Sequence, residues 1–250
     1  MLGSITMIFH FFQAVIVLFL IITNEKLAGK GAIFNLYTTT KNMRDGYVHF
    51  FIMDWSIPLS IFFFFMLSGA FQLYQVYYLA HSPLCKIYYR YIEYSLSAAL
   101  MIICIGIEVG IRDIQVLFLL AGYVSTLCWL GYIADIIQEL SSDQSLKWYP
   151  HSLAWFCNFS VFSIILTAYG TSIYVNGKPP WFVHMILFTM LCLFSVFGLV
   201  QWYDFRHRNL RWRNFDEHCE YVGKLYDLLS LTAKSSLAWL ILMPLFFTNL

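Results

Sequence analysis

The sequence predicts an all-α membrane protein, a bundle of seven membrane-spanning helices with a small β-hairpin in the first interhelical loop. Three observations carry that prediction: a very apolar composition, seven separate apolar runs of spanning length, and one connector too long for a simple turn. Of the 250 residues, 60% are hydrophobic, 20% aromatic and 12% charged, far from the usage of soluble globular chains. Such a chain buries its side chains in lipid, so the bilayer is its first expected partner. With 15 Lys and Arg against 14 Asp and Glu the net charge is near zero, which offers no electrostatic footprint for nucleic acid.

A helix needs about 20 mostly apolar residues to cross the hydrocarbon core. Runs at about 5–23, 56–81, 87–109, 113–138, 151–175, 181–204 and 218–247 meet that length and form one domain over residues 1–250. The first run lacks a basic n-region and a small-residue cleavage site, so it is expected to stay as a helix rather than act as a signal peptide. Connectors are short except for residues 24–55. There, Ile33 to Thr40 and Tyr47 to Ile52 are rich in β-branched and aromatic residues and flank the turn-like Lys41-Asn42-Met43-Arg44-Asp45-Gly46, the pattern of a hairpin. The cysteines, Cys85, Cys104, Cys128, Cys157, Cys192 and Cys219, lie in or beside apolar runs without disulfide or zinc spacing. They are expected to be packing residues or free thiols.

Orientation follows from basic residues in the short loops. Those on the N-terminal side hold Lys86, Arg90, Lys147, Arg206, Arg208, Arg211 and Arg213, whereas the short loops opposite hold Arg112 and Lys178. The N-terminus is therefore expected in the cytoplasm and the C-terminus outside. Four further basic residues in the long first loop oppose the bias, but a loop with its own structure weighs less in this rule.

Lys234 stands near the middle of the last run, where a charged ammonium is expensive and the stem cannot reach either interface. It must be neutral, paired or covalently modified, and a desolvated lysine amine is a good Schiff-base former. Taken alone, a structural ion pair is the alternative. Glu93, one or two turns inside the third run, is the expected partner, because Lys234 leans toward its helix N-terminus and so toward the cytoplasmic half where Glu93 lies. A protonated imine needs such an anion close by. Arg90, three residues before Glu93 on the same face, is expected to hold it ionised. Ser230 and Tyr226, four and eight residues before Lys234 on its face, supply no second fixed negative charge. Asp227 lies near the same azimuth but roughly 10 Å nearer the cytoplasm, as a proton acceptor or a more distant charge.

Two blocks, Arg90-Tyr91-Ile92-Glu93-Tyr94-Ser95-Leu96-Ser97 with Met101 following, and Leu229-Ser230-Leu231-Thr232-Ala233-Lys234-Ser235-Ser236-Leu237-Ala238-Trp239, resemble the heliorhodopsins. These are retinal proteins whose membrane orientation is inverted relative to type 1 microbial rhodopsins. Weaker echoes are Phe9-His10-Phe11-Phe12-Gln13, Gly131 with Asp135, and Phe197-Gly198-Leu199-Val200-Gln201. The resemblance implies all-trans retinal on Lys234, Glu93 as counterion, and hydrogen bonds from Ser68 and Ser230 around the Schiff base. Ser97, Met101, Tyr226 and Trp239 are assigned to the chromophore pocket. His10 would line a polar cavity on the cytoplasmic side, where Gln72 stands in place of a second histidine. The fifth run also lacks the proline expected of the family.

The expected function is light sensing and signalling, with a light-gated proton conductance as the alternative. Proton pumping is disfavoured because Cys104, eleven residues after Glu93, stands where a reprotonating carboxylate would be needed. For the conductance, Asp227 is the deep ionisable candidate, while Glu108 and Asp135 are expected to be solvated helix ends. A basic loop at 206–213 could dock an unidentified signalling partner, although such a loop is usually an orientation signal. A homodimer is the expected assembly. No nucleophile and base pairing, metal-ligand spacing or phosphate loop is present, so the chain is expected not to be an enzyme.

Overall fold

The computed structural model describes residues 2–24, 27, 32–42, 46–78, 83–141, 143, 145–207 and 215–247. Its elements run α1 (Leu2–Thr23), β1 (Ile33–Asn42), β2 (Gly46–Ser56), α2 (Ile57–Tyr78), α3 (Pro83–Glu108), α4 (Ile114–Leu140), α5 (Trp148–Asn176), α6 (Trp181–His207) and α7 (Phe215–Phe247). All seven helices contain a stretch long and apolar enough to cross a membrane. Five of them begin or end several residues beyond the apolar runs. Helices α1, α3, α5 and α7 start earlier than hydropathy indicates, and α6 ends later. Hydropathy registers only the lipid-embedded part of a helix, whereas backbone hydrogen bonding continues into the polar interface. Pro58 and Pro150 fall in the first turns of α2 and α5, where a missing N–H costs no helical bond.

Helix α1 packs on α2 and α7, α3 packs on α2 and α4, α5 lies against α4, and α6 packs on α7. Its neighbours bury 67% of the spanning window of α3, the largest share of the seven. A side chain on α3 is thereby carried to the centre of the bundle. The core of the half of the bundle nearer the hairpin is apolar, with Ile102, Ile105, Phe64, Phe65, Leu117 and Leu120 all buried.

The hairpin pairs antiparallel from Ile33 opposite Ser56 to Asn42 opposite Gly46, with an irregularity between Leu36 and Tyr37. Met43, Arg44 and Asp45 of the expected turn lie outside the described residues. Asp113 fixes the hairpin to α4. Its carboxylate caps the helix by accepting from the Gln115 and Val116 amides (2.9 and 3.4 Å) and also accepts from the Thr39 amide of β1 (3.2 Å). The Tyr37 amide donates to the Arg112 carbonyl at 3.0 Å, and the Arg112 guanidinium lies 4.3 Å from the centroid of the Phe34 ring.

Lys147, counted above as a loop charge, is buried. Its ammonium donates to Gln138 Oε1 and, at 3.5 Å, to the Phe205 carbonyl near the end of α6, the favourable place for a cation on a helix. The bias of the N-terminal-side loops therefore rests on the other residues. Arg208, Arg211 and Arg213 lie outside the described residues. Cys104, Cys128, Cys157 and Cys192 are free thiols.

Candidate functional site

Lys234 sits on the inward face of α7 between Ala233 and Leu237, only 2% exposed. Its side chain runs back toward the helix N-terminus, as helix geometry requires, and meets Ser230 one turn earlier. The ammonium donates to Ser230 Oγ at 2.7 Å and to Glu93 Oε1 at 2.9 Å. Glu93 is 1% exposed, so this is a fully buried ion pair. The Tyr94 ring, next along α3, presents its centroid 5.5 Å from the same nitrogen. A carboxylate, a hydroxyl and an aromatic face thus converge on one cationic nitrogen.

Beside Lys234 opens a cavity of about 100 Å³ with walls from α3 (Ser97, Met101), α4 (Cys128), α5 (Trp155), α6 (Phe197) and α7 (Tyr226). Ser97, Met101, Tyr226 and Ser230 line it as the sequence implies. Trp239 does not: its indole donates to Gln13 Oε1 of α1 at 3.2 Å. Five residues after Lys234, it is turned about 140° around the helix. Ser68 lies off the cavity too, on the inward face of α2 with Gln72. Ser68 Oγ, Gln72 Oε1 and both ring nitrogens of His10 are buried without a protein hydrogen-bond partner, the condition under which internal water binds.

Three charged residues are placed differently from expectation. The Arg90 guanidinium lies 5.1 Å from the Tyr226 ring centroid rather than pairing with Glu93, whose carboxylate has turned inward to Lys234. Asp227 is half-buried and faces α1, where a Cβ on Gly3 would stand 3.4 Å from its Oδ2. Asp135 is not a solvated helix end, being 4% exposed. It accepts from the Tyr91 hydroxyl at 2.9 Å and from Gln201 Nε2 at 3.0 Å, partners that come from two other helices.

This belongs to a second polar cluster, of which the sequence marks Gly131, Asp135 and Gln201 as weak echoes and Tyr91 within a stronger block, while His151 and Trp155 carry no signal in it. Gln201 Nε2 also donates to the Gly131 carbonyl (2.8 Å) and lies 3.0 Å from Tyr91 Oη. Its Oε1 meets His151 Nδ1 at 3.0 Å, and His151 Nε2 accepts from Trp155 Nε1 at 3.1 Å. Tyr91, Gly131, His151, Trp155 and Gln201 all line the cavity. Nothing in spacing links residues 91, 135, 151 and 201; only the packing of α3 to α6 does.

A family model for heliorhodopsins matches residues 2–246 of the chain. The chain belongs to the heliorhodopsin family. It is accordingly an integral membrane protein of the retinal photoreceptor type, and the family is not a conventional enzyme family. No curated protein matches the chain. Among solved structures, cyanorhodopsin from the cyanobacterium Tolypothrix sp. NIES-4075 is similar at 13% identity and TM-score 0.59, over 96% of this chain and 93% of that one. That likeness establishes the shared seven-helix rhodopsin fold.

The residues present fit retinal. A buried lysine stands at a cavity walled mainly by aromatic and aliphatic side chains, and Ser97 Oγ is buried in that wall without a protein partner. Lys234 would hold the aldehyde carbon. In this heliorhodopsin the second cluster should carry measurable stability. Gln201→Leu strips partners from His151, Tyr91, Asp135 and the Gly131 carbonyl in a dry interior, an expected loss of about 1–3 kcal/mol. Thermal unfolding of the apoprotein in detergent checks this, and a melting temperature equal to wild type would refute it.

Proposed function

We propose that the protein is a light sensor that holds all-trans retinal on Lys234 as a protonated Schiff base, with Glu93 as its counterion, and that it signals rather than pumps. The observation that carries this reading is the buried contact of Lys234 with Glu93 and Ser230 at the edge of the cavity. When bound, retinal supplies visible absorption and a light-driven change of shape.

The chain's own residues do the rest. Glu93 balances the positive charge at Lys234, Ser230 accepts its proton in a hydrogen bond, and Tyr94 turns its ring face to it. Tyr94 is itself fixed by donation from its hydroxyl to the Tyr226 carbonyl of α7 at 3.2 Å. Displacing the charge at Lys234 would therefore perturb both the α3 and α7 sides of the cavity, and rearrangement of these helices is the signal. Cys104, eleven residues beyond Glu93 on α3, is a fully buried thiol, so no carboxylate stands at that position to return a proton. Directed pumping lacks its usual donor.

A light-gated proton conductance is the second reading, favoured by the unpartnered polar atoms of His10, Ser68 and Gln72 and by the buried Asp135. Photocurrents in cells making the pigment separate the two, since a sensor passes none. The protein would work as a non-enzymatic homodimer in the bilayer, coupled to a partner on the cytoplasmic side. Its N-terminus would be cytoplasmic and its C-terminus extracellular. Terminal epitope tags test this: on intact cells a protease should remove the C-terminal tag and leave the N-terminal one, and the reverse pattern overturns the orientation.

Lys234→Ala should abolish pigment formation with all-trans retinal, because no other lysine lies at mid-membrane depth in a span. Visible absorbance in that variant would remove the retinal assignment. Glu93→Gln should move the absorbance to longer wavelength, or bleach the pigment at a pH where wild type keeps its colour, as a close buried anion is lost at a cost of about 3–5 kcal/mol. Asp227→Asn, about two turns away, should change colour much less. Spectral titration of both variants decides: equal effects mean a shared counterion, and an effect confined to Asp227 overturns the role of Glu93.

A further inference from the structure

Light sensing draws on the middle of the bundle and leaves a cation at the N-terminal-side rim without a role. Arg206 stands exposed in the last turn of α6, one turn after Trp202. Its guanidinium carbon lies 5.7 Å from the Trp202 ring centroid and 5.9 Å from that of Trp148, the first residue of α5. One guanidinium is thus held against indoles from two helices, within the range of a cation–π contact to each. Trp148 is fixed in turn. Its ring meets those of His151 and Phe205 nearly at right angles, with centroids 5.7 Å apart in both pairs.

A second cation shares this indole, the Lys147 ammonium at 5.7 Å from its centroid, and the two differ. Lys147 is buried and donates to Gln138 and the Phe205 carbonyl. Among the described residues, no carboxylate or carbonyl pairs with Arg206. A guanidinium steadied on rings, with its fork of N–H donors unmet, is a receptor for an oxyanion, and the fork matches phosphate in two parallel bonds. Depth identifies the source. Tryptophan and tyrosine collect where hydrocarbon gives way to headgroups, and here Trp202 is 44% and Tyr149 70% exposed. The apolar span of α6 ends at His207, so Arg206 lies at the level of lipid phosphates. Residues 206–213 hold four arginines and no acidic residue, a field that draws an anionic headgroup more than a zwitterionic one. We infer that Arg206, seated on Trp148 and Trp202, binds the headgroup phosphate of an anionic phospholipid and so ties the neighbouring ends of α5 and α6 together. Binding there asks nothing of Lys234 and stands apart from the retinal reading.

Native mass spectrometry of the purified full chain, released from detergent with equal amounts of phosphatidylglycerol and phosphatidylcholine of the same acyl chains, tests this. Wild type should retain phosphatidylglycerol at least about fivefold over phosphatidylcholine, and Arg206→Gln should cut that preference about fivefold, the effect of one basic residue at an anionic surface. Arg206→Lys keeps the charge and loses the planar fork, so it should recover only part of the preference. Arg208→Gln removes an equal charge two residues on and should keep it in full, which separates a built site from the general charge of the loop. Equal retention of the two lipids by wild type, an unchanged preference in Arg206→Gln, full preference in Arg206→Lys, or an equal fall in Arg208→Gln overturns the inference. Inorganic phosphate, supplied alone and retained as firmly as the lipid, would overturn it too by marking a soluble anion as the ligand.

Discussion

Everything in this bundle is arranged around one buried ion pair, Lys234 with Glu93. Removing two opposite charges from water costs several kcal/mol for each, and their attraction offsets that only where the remaining hydrogen-bonding capacity is met. Here it is met from both helices: Ser230 takes a second proton of the ammonium, and the Tyr94 ring covers its side. Apolar residues of similar volume would commonly stabilise a core as well or better. The pair therefore has more value as a poised charge than as a staple, and the central position of α3 delivers Glu93 to it.

The polar groups around that pair divide into two unlike sides. Toward α4, α5 and α6 the hydrogen bonds run in a connected chain from Trp155 through His151 and Gln201 to Asp135. Within a bilayer, polar groups must find partners inside the protein, and this side meets the condition with side chains and the Gly131 carbonyl. Toward α1 and α2, His10, Ser68 and Gln72 leave buried atoms without protein partners. Groups that depend on water can exchange partners readily, whereas a closed side-chain network resists change until one member moves. Lys234 thus stands between a connected hydrogen-bond network on one side and buried polar atoms without protein partners on the other.

Reading the sequence succeeded where one helix or one hairpin holds the whole argument. Spanning length, the expense of an ammonium at mid-membrane, its lean toward its helix N-terminus, and the β-branched and aromatic stretches on either side of residues 41–46 all follow from local rules. It failed where the partner comes from a distant helix. Asp135 stands near the end of its apolar run and so reads as solvated, yet Tyr91 and Gln201 close over it. Lys147 reads as a loop charge, but Gln138 and the end of α6 enclose it. Trp239 shows a nearer limit. Its azimuth, about 140° from Lys234, already placed it away from the cavity, and membership of a family-like block outweighed that geometry. Gly131 and Gln201 fall in separate blocks of the sequence; only the approach of α4 to α6 joins them.

The connected side also has a direction. Gln201 Nε2 faces the Gly131 carbonyl and the Asp135 carboxylate, which only accept, so its Oε1 must be the atom turned to His151. The proton of a neutral His151 is then on Nδ1, leaving Nε2 to accept from an indole that can only donate. Each bond donates toward Asp135, and the Tyr91 hydroxyl donates there as well. Proton uptake by the carboxylate would add a donor at one of its oxygens, and the bond that oxygen accepts from Tyr91 or Gln201 would lose its charge assistance. Reversal of the Gln201 amide would set its nitrogen against His151 Nδ1–H, donor against donor, forcing the imidazole to change tautomer and releasing the indole. The orientation of Gln201 therefore ties Asp135 on α4 to the seating of Trp155 on α5, through bonds that share one direction.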